Sequence, residues 1–212
     1  MTEPARFAAP TTVELGPAEA PLVVLFHGRG SDADEIIGLA SSLPTGLAYT
    51  AVRAPIAEGG GFAWFANRGI GRPVAESLAD TMEWFRIWLD TAAAPDRPVF
   101  LVGFSGGAAF AGGLLLADPT RFAGTAILHG TLPFDAGVPT SIGRLAGAHV
   151  FLAHGTDDTV IPAELQARTW SYLTGESGAV TTARRFPAGH FLTQPSVEAL
   201  RTWLDERIEA LA

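Results

Sequence analysis

The sequence predicts an α/β fold with a mostly parallel central sheet and helices on both faces. Three observations carry that expectation. Apolar, strand-like runs alternate with stretches of helical periodicity from one end to the other. The runs are continuous, as in strands buried on both faces, where a half-buried strand would alternate apolar and polar residues. Finally, 212 residues with 48% hydrophobic and 17% charged side chains suit one such core and are few for two, so a single domain over residues 1–212 is expected.

Taken in order, Pro21-Leu22-Val23-Val24-Leu25-Phe26 is the first strand, stopped by His27-Gly28-Arg29-Gly30. Ser31-Asp32-Ala33-Asp34-Glu35 then reads as a helix start, with a capping side chain and carboxylates that favour the helix dipole. A second strand is expected over residues 48–53, halted by Ala54-Pro55, and Glu58-Gly59-Gly60-Gly61 reads as a flexible turn leading to Trp64-Phe65. Leu78, Met82, Phe85 and Leu89 recur at helical spacing within residues 76–91, with Trp84 and Trp88 read as packing.

Pro98-Val99-Phe100-Leu101-Val102 is the next strand, and it runs straight into Gly103-Phe104-Ser105-Gly106-Gly107 and a small-residue helical stretch ending at Ala117. Further strands are expected over residues 124–128, 149–153 and 181–186, with helices over 162–173 and 195–211. Residues 129–148 are too few for a separate cap domain.

Composition removes several function classes. A net charge of −8 opposes binding to nucleic acid and to anionic membranes. Without cysteine there is no thiolate nucleophile, disulfide or zinc-thiolate site. All basic residues are arginine, which excludes a phosphate-loop lysine and a pyridoxal Schiff base. The five histidines are scattered without metal-ligand spacing, and no dinucleotide fingerprint follows a strand, so neither metal nor cofactor is expected. Residues 98–117 carry no charge and approach the length of a membrane span, but their glycines favour a buried strand and helix. Residues 1–6 lack a basic start followed by an apolar core, so no secretion signal is expected, and the location is expected to be cytoplasmic.

The G-x-S-x-G frame after a buried strand is the sequence form of a nucleophile elbow, a sharp turn that lifts one serine above the sheet. A serine hydroxyl is a weak nucleophile and needs a base oriented by a carboxylate, in the chain order serine, acid, histidine. Asp157 or Asp158 after one strand and His190 after the next satisfy that order, and both lie where ligands of parallel sheets bind, beyond the carboxyl ends of the strands.

From about residue 21 to 208 the chain resembles the carboxylesterase, phospholipase and acyl-protein thioesterase family of small serine α/β-hydrolases. The resemblance is carried by Leu25-Phe26-His27-Gly28-Arg29-Gly30, by Gly103-Phe104-Ser105-Gly106-Gly107, by His154-Gly155 with Asp158 and Val160-Ile161-Pro162, and by Gly189-His190. It implies Ser105 as nucleophile, His190 as base and Asp158 as the orienting acid, with Asp157 the rival. It also implies an oxyanion hole from the backbone N–H groups of Arg29 and Gly106, and small-molecule esters or thioesters as substrates. A serine peptidase, a dienelactone-hydrolase-like enzyme and a catalytically silent binding protein are the alternatives; oligomeric state is not indicated.

Departures from the family pattern bear on substrate. Gly106 stands where the family commonly has glutamine, and Arg29 where it has an aliphatic residue; the Arg29 side chain is expected to pair with Asp32 or Asp34, with projection toward substrate the alternative. Trp64-Phe65-Ala66 resembles the family's Trp-aromatic-Asp element without its aspartate, so Trp64 and Phe65 are candidates for an acyl-side wall. His129 ends a strand at the catalytic edge where the family usually has serine, a third candidate for substrate contact. His27 and His154 are expected to brace the oxyanion and acid loops, and His149 to open a strand.

Overall fold

The computed structural model describes residues 6–211; residues 1–5, on which the expectation about a secretion signal largely rests, lie outside them. The chain begins with β1 (Thr12–Leu15), β2 (Leu22–Phe26), α1 (Ala33–Ile36), β3 (Ala48–Val52), β4 (Ile56–Glu58), β5 (Gly61–Ala63) and α2 (Ala75–Ala92). It continues through β6 (Val99–Phe104), α3 (Gly106–Ala117), β7 (Gly124–Leu128), β8 (His149–Gly155), α4 (Ala163–Ser171), β9 (Val180–Phe186) and α5 (Gln194–Glu209).

Seven strands pair in the order β1-β3-β2-β6-β7-β8-β9, all parallel except β1, which runs antiparallel to β3 at one edge. Side chains on the buried central strands divide between two cores. Val24, Phe26 and Leu101 face one way and pack with Phe85 of α2 and Phe110 and Leu114 of α3. Val23, Leu25, Phe100 and Val102 face the other way, against Leu200, Trp203 and Leu204 of α5. Continuous apolar runs are therefore required, because successive residues serve opposite layers.

The winding fixes the site. From β2 the chain moves outward to β3 and then returns to β6 on the other side of β2, so the connections leaving β2 and β6 diverge. A crevice opens at such a switch point, bounded by the loops after the two strands. Those loops are Gly28-Arg29 and Ser105-Gly106.

The structure departs from the sequence reading in several places. The Glu58 to Gly61 stretch is no flexible turn; it closes a hairpin of β4 and β5, with Gly59 and Gly60 at φ 59° and 89°. The left-handed pair suits a two-residue connection. The helix capped by Asp32, whose side chain accepts from the Glu35 N–H, lasts only one turn before tightening to a 3₁₀ turn over Ile37–Ser42. The helix expected through residue 173 ends at Ser171 and widens into a π turn over Tyr172–Glu176. Residues 98–117 form β6 and α3 in the centre of the fold, and among the described residues no helix is long and apolar enough to cross a membrane. No cap domain is present among the described residues.

Candidate active site

Ser105 sits between β6 and α3 with φ 54° and ψ −115°, a conformation L-residues rarely adopt. The neighbouring packing holds it there. The Ser105 N–H donates to the Leu128 carbonyl at 2.9 Å, tying the turn to β7. A Cβ at Gly107 would stand 2.3 Å from the Phe26 carbonyl oxygen, so only glycine lets α3 press onto the end of β2. The strain is carried by the serine itself and the close approach by the glycine.

His190 Nε2 lies 2.9 Å from Ser105 Oγ, and His190 Nδ1 lies 2.8 Å from Asp158 Oδ2. The other carboxylate oxygen, Oδ1, accepts the Val160 N–H at 2.9 Å and the Ile161 N–H at 3.1 Å. Burial opposes ionisation of Asp158, whose side chain is 1% exposed, but the hydrogen bonds from His190, Ile161 and Val160 outweigh it and hold the carboxyl below its ordinary range. Asp157 makes no such contact; its N–H donates to the Ala188 carbonyl at 3.0 Å.

Arg29 and Gly106 face each other across the crevice. A Cβ on Gly106 would come 3.3 Å from the Arg29 amide nitrogen. Gly106 opens α3, where the first N–H groups have no partner within the helix, and the Arg29 N–H has no acceptor among the described residues. Two backbone N–H groups thus lie close together next to Ser105.

The Arg29 side chain does not pair with Asp32 or Asp34. Its guanidinium makes a two-pronged contact with Glu58 at the tip of the β4–β5 hairpin and donates to the Phe65 carbonyl at 3.1 Å. The hairpin, invisible in the sequence, brings Glu58 to the loop after β2.

An apolar cleft of about 300 Å³ opens on Ser105, Gly106 and His190. Trp64 and Phe65 line it, yet both are almost fully buried. The Trp64 ring stacks on Phe110 at 4.6 Å and its Nε1–H donates to the His27 carbonyl at 2.8 Å, so the same residue serves core and cleft. Leu132, Pro133 and Ile161 line the cleft as well, together with the exposed Ile70 and Val160. Sequence reasoning missed Leu132 and Pro133, which lie in the irregular segment after β7; their apolar character in a loop was the available signal. A second recess of about 320 Å³ also reaches Ser105 and His190 and is bounded by Ser31, Glu35, Ile36 and Phe104.

His129 is placed differently from the expectation of substrate contact. Its side chain is 0% exposed and does not line the cleft; its Nδ1 lies 3.7 Å from Asp158 Oδ2, behind the carboxylate. His27 accepts the Ala54 N–H on Nε2 at 3.1 Å and donates from Nδ1 to the Gly28 carbonyl at 2.7 Å, bracing the loop before Arg29. Burial lowers its pKa, in keeping with that neutral tautomer. His154 donates from Nε2 to the Gly130 carbonyl at 3.0 Å and is pushed down to about 4 by burial. His149 opens β8 beside Arg207. Among the described residues no group of three or more histidine or acidic side chains is arranged to hold a metal ion.

The model of the phospholipase/carboxylesterase family matches residues 8–208. The carboxylesterase SOBER1 of Arabidopsis thaliana is 26% identical over 147 residues, which is 66% of this chain and 64% of that protein, so the match spans just under two thirds of the curated relative. A carboxylesterase from Bacillus cereus shares the fold with a TM-score of 0.83 and 25% identity, covering 94% of this chain and 95% of that one. A carboxylesterase from Mesorhizobium loti gives 0.82 and 26%, covering 93% and 95%. With the family model matched over residues 8–208, nearly the whole sequence, the chain belongs to the phospholipase/carboxylesterase family of α/β-hydrolases.

Proposed function

We propose that this one-domain protein hydrolyses small carboxylic esters, and thioesters by the same chemistry, through an acyl-enzyme on Ser105. The observation that carries the reading is the continuous hydrogen-bond chain from Ser105 Oγ through His190 to Asp158 beside two converging backbone donors. In the first half-reaction Ser105 Oγ bonds to the carbonyl carbon while its proton passes to His190 Nε2. The carbonyl oxygen becomes an oxyanion that accepts from the Arg29 and Gly106 N–H groups, each worth on the order of 3 kcal/mol of barrier.

As the intermediate collapses, the bond to the leaving oxygen or sulfur breaks and His190 returns its proton to that atom. Water then attacks the acyl-Ser105 carbonyl, giving its proton to His190, and the second collapse releases the acid and restores the serine. Throughout, Asp158 holds the imidazole in the tautomer with the proton on Nδ1 and stabilises the imidazolium.

The apolar cleft past Trp64 and Phe65 takes the acyl chain, and its size, at the low end for ligand sites, favours short chains. The test is turnover of p-nitrophenyl esters together with labelling by a fluorophosphonate probe. Ser105→Ala should abolish both while the circular dichroism spectrum stays unchanged. Full activity in that variant, or a wild-type protein that neither turns over esters nor takes the label, defeats the proposal.

A further inference from the structure

We propose that His129 is a positioning residue of this site, holding the remaining acceptor face of Asp158 Oδ2 through its Nδ1–H. The inference rests on the reading of Ser105, His190 and Asp158 as a triad, and it concerns a residue outside that triad.

Three observations converge on it. First, both ring nitrogens of His129 are buried with no hydrogen-bond partner, a rare state for polar atoms sealed from water. Second, the residue holds φ at 46°, in the left-handed region that few non-glycine residues occupy. Its own N–H is tied to the Ala153 carbonyl at 2.8 Å, on the strand whose exit loop carries Asp158. Third, the acceptor count of Asp158 leaves one place open. Oδ1 takes two backbone N–H groups and Oδ2 takes His190, so Oδ2 retains one lone pair. His129 Nδ1 faces that oxygen at 3.7 Å, and an approach of about half an ångström completes a normal hydrogen bond.

The groups facing His129 are Asp158, His190 with ring centroids 6.3 Å apart, the Gly189 carbonyl, the Phe104 ring at 6.0 Å, and His154 behind it. Burial outweighs the attraction of Asp158 and keeps the ring neutral, so the contact is an N–H donated to a carboxylate. Such a donor stops the carboxylate from rotating away from His190 and draws off part of its charge. Removing it makes Asp158 easier to protonate and leaves more charge facing His190. Both changes move the acid limb of activity to higher pH.

The direct test is ¹⁵N NMR of the imidazoles in the wild-type protein at neutral pH, with the His129 signals assigned by their loss in His129→Asn. A neutral ring protonated on Nδ1 is expected; an Nε2–H tautomer or a charged ring overturns the proposal. No substrate is involved, so this result stands apart from the esterase assay that judges the triad.

In kinetics, His129→Ala should lower kcat about tenfold with KM nearly unchanged, the cost of one hydrogen bond to a charged group, and raise the acid limb of kcat/KM. His129→Asn, whose amide sits near the Nδ1 position and which tolerates the left-handed backbone, should restore most of kcat and the limb. A folded alanine variant that loses melting temperature but keeps both kcat and the limb shows a purely structural role and overturns the proposal. If the alanine variant does not fold, the tautomer decides alone.

Discussion

Asp158 grips His190 through one oxygen at 2.8 Å while the Val160 and Ile161 amides grip the other, and Asp157, one residue away, reaches neither. The two aspartates therefore respond differently to the same change. Asp158→Asn should lower kcat by about 10³ to 10⁴, because an amide can present a donor to His190 Nδ1 and select the wrong tautomer. Asp157→Asn should leave kcat within about twofold, as expected for a polar group without a role in proton transfer. Steady-state kinetics on both variants decides; equal losses would remove Asp158 from the proposed role.

Gly106 offers a probe of the proposed oxyanion donors. An alanine Cβ there meets the Arg29 nitrogen at 3.3 Å, tight enough that one of them must move. The Arg29 loop is held from the far side by Glu58 and by the Phe65 carbonyl, so it has little freedom to retreat. Gly106→Ala should then lower kcat about tenfold, roughly 1.4 kcal/mol of barrier, with KM little changed. Adding Glu58→Gln should recover part of that loss by loosening the loop. A double variant no faster than Gly106→Ala would show that the guanidinium contact does not hold the backbone in place.

Stability should depend on pH through the buried histidines. His154 titrates near 4 when folded, chiefly because burial disfavours its charged form, against about 6.5 in an unfolded chain. Between those values the unfolded chain takes up a proton that the folded one refuses, so stability falls as pH drops from about 6.5 to 4 and levels off below. The loss from His154 is roughly 3 kcal/mol, and His27 and His129, also lowered by burial, act in the same direction. His154→Gln, which keeps a donor for the Gly130 carbonyl, should flatten the decline. Urea midpoints at pH 7.5 and 5 read the difference, and equal declines in both proteins would disprove the assignment.

Much of the fold was legible because its central strands are buried twice over. Val23, Val24 and Leu25 announce a strand by having no polar face at all, and the loops after such strands are where chemistry gathers. β1 escaped because Thr12–Leu15 is an edge strand, half exposed and only four residues long. The β4–β5 hairpin escaped because three-residue strands carry too few side chains for a pattern. Missing that hairpin is also why the partner of Arg29 was sought among near neighbours, although Glu58 lies twenty-nine residues along the chain. The positions of Ser105 and His190 were readable from loop position and order, which left Asp157 and Asp158 both open; only the resemblance favoured Asp158, the one that reaches His190. The burial of His129 was not, since one residue past a strand end the direction of the turn decides whether a side chain meets solvent or core.

The divergence of the chain at β2 and β6 has a consequence for how activity is acquired. Arg29, Ser105, Asp158 and His190 leave four different strands, and no two of them are brought together by a local turn. Their meeting requires long-range pairing of most of the sheet, which closes late and cooperatively during folding. A nicked, truncated or half-refolded chain that has secondary structure but no register between β2 and β6 therefore does not bring the Arg29 and Gly106 amides together beside Ser105. Under the proposed function, ester turnover is in effect a count of completely assembled sheets.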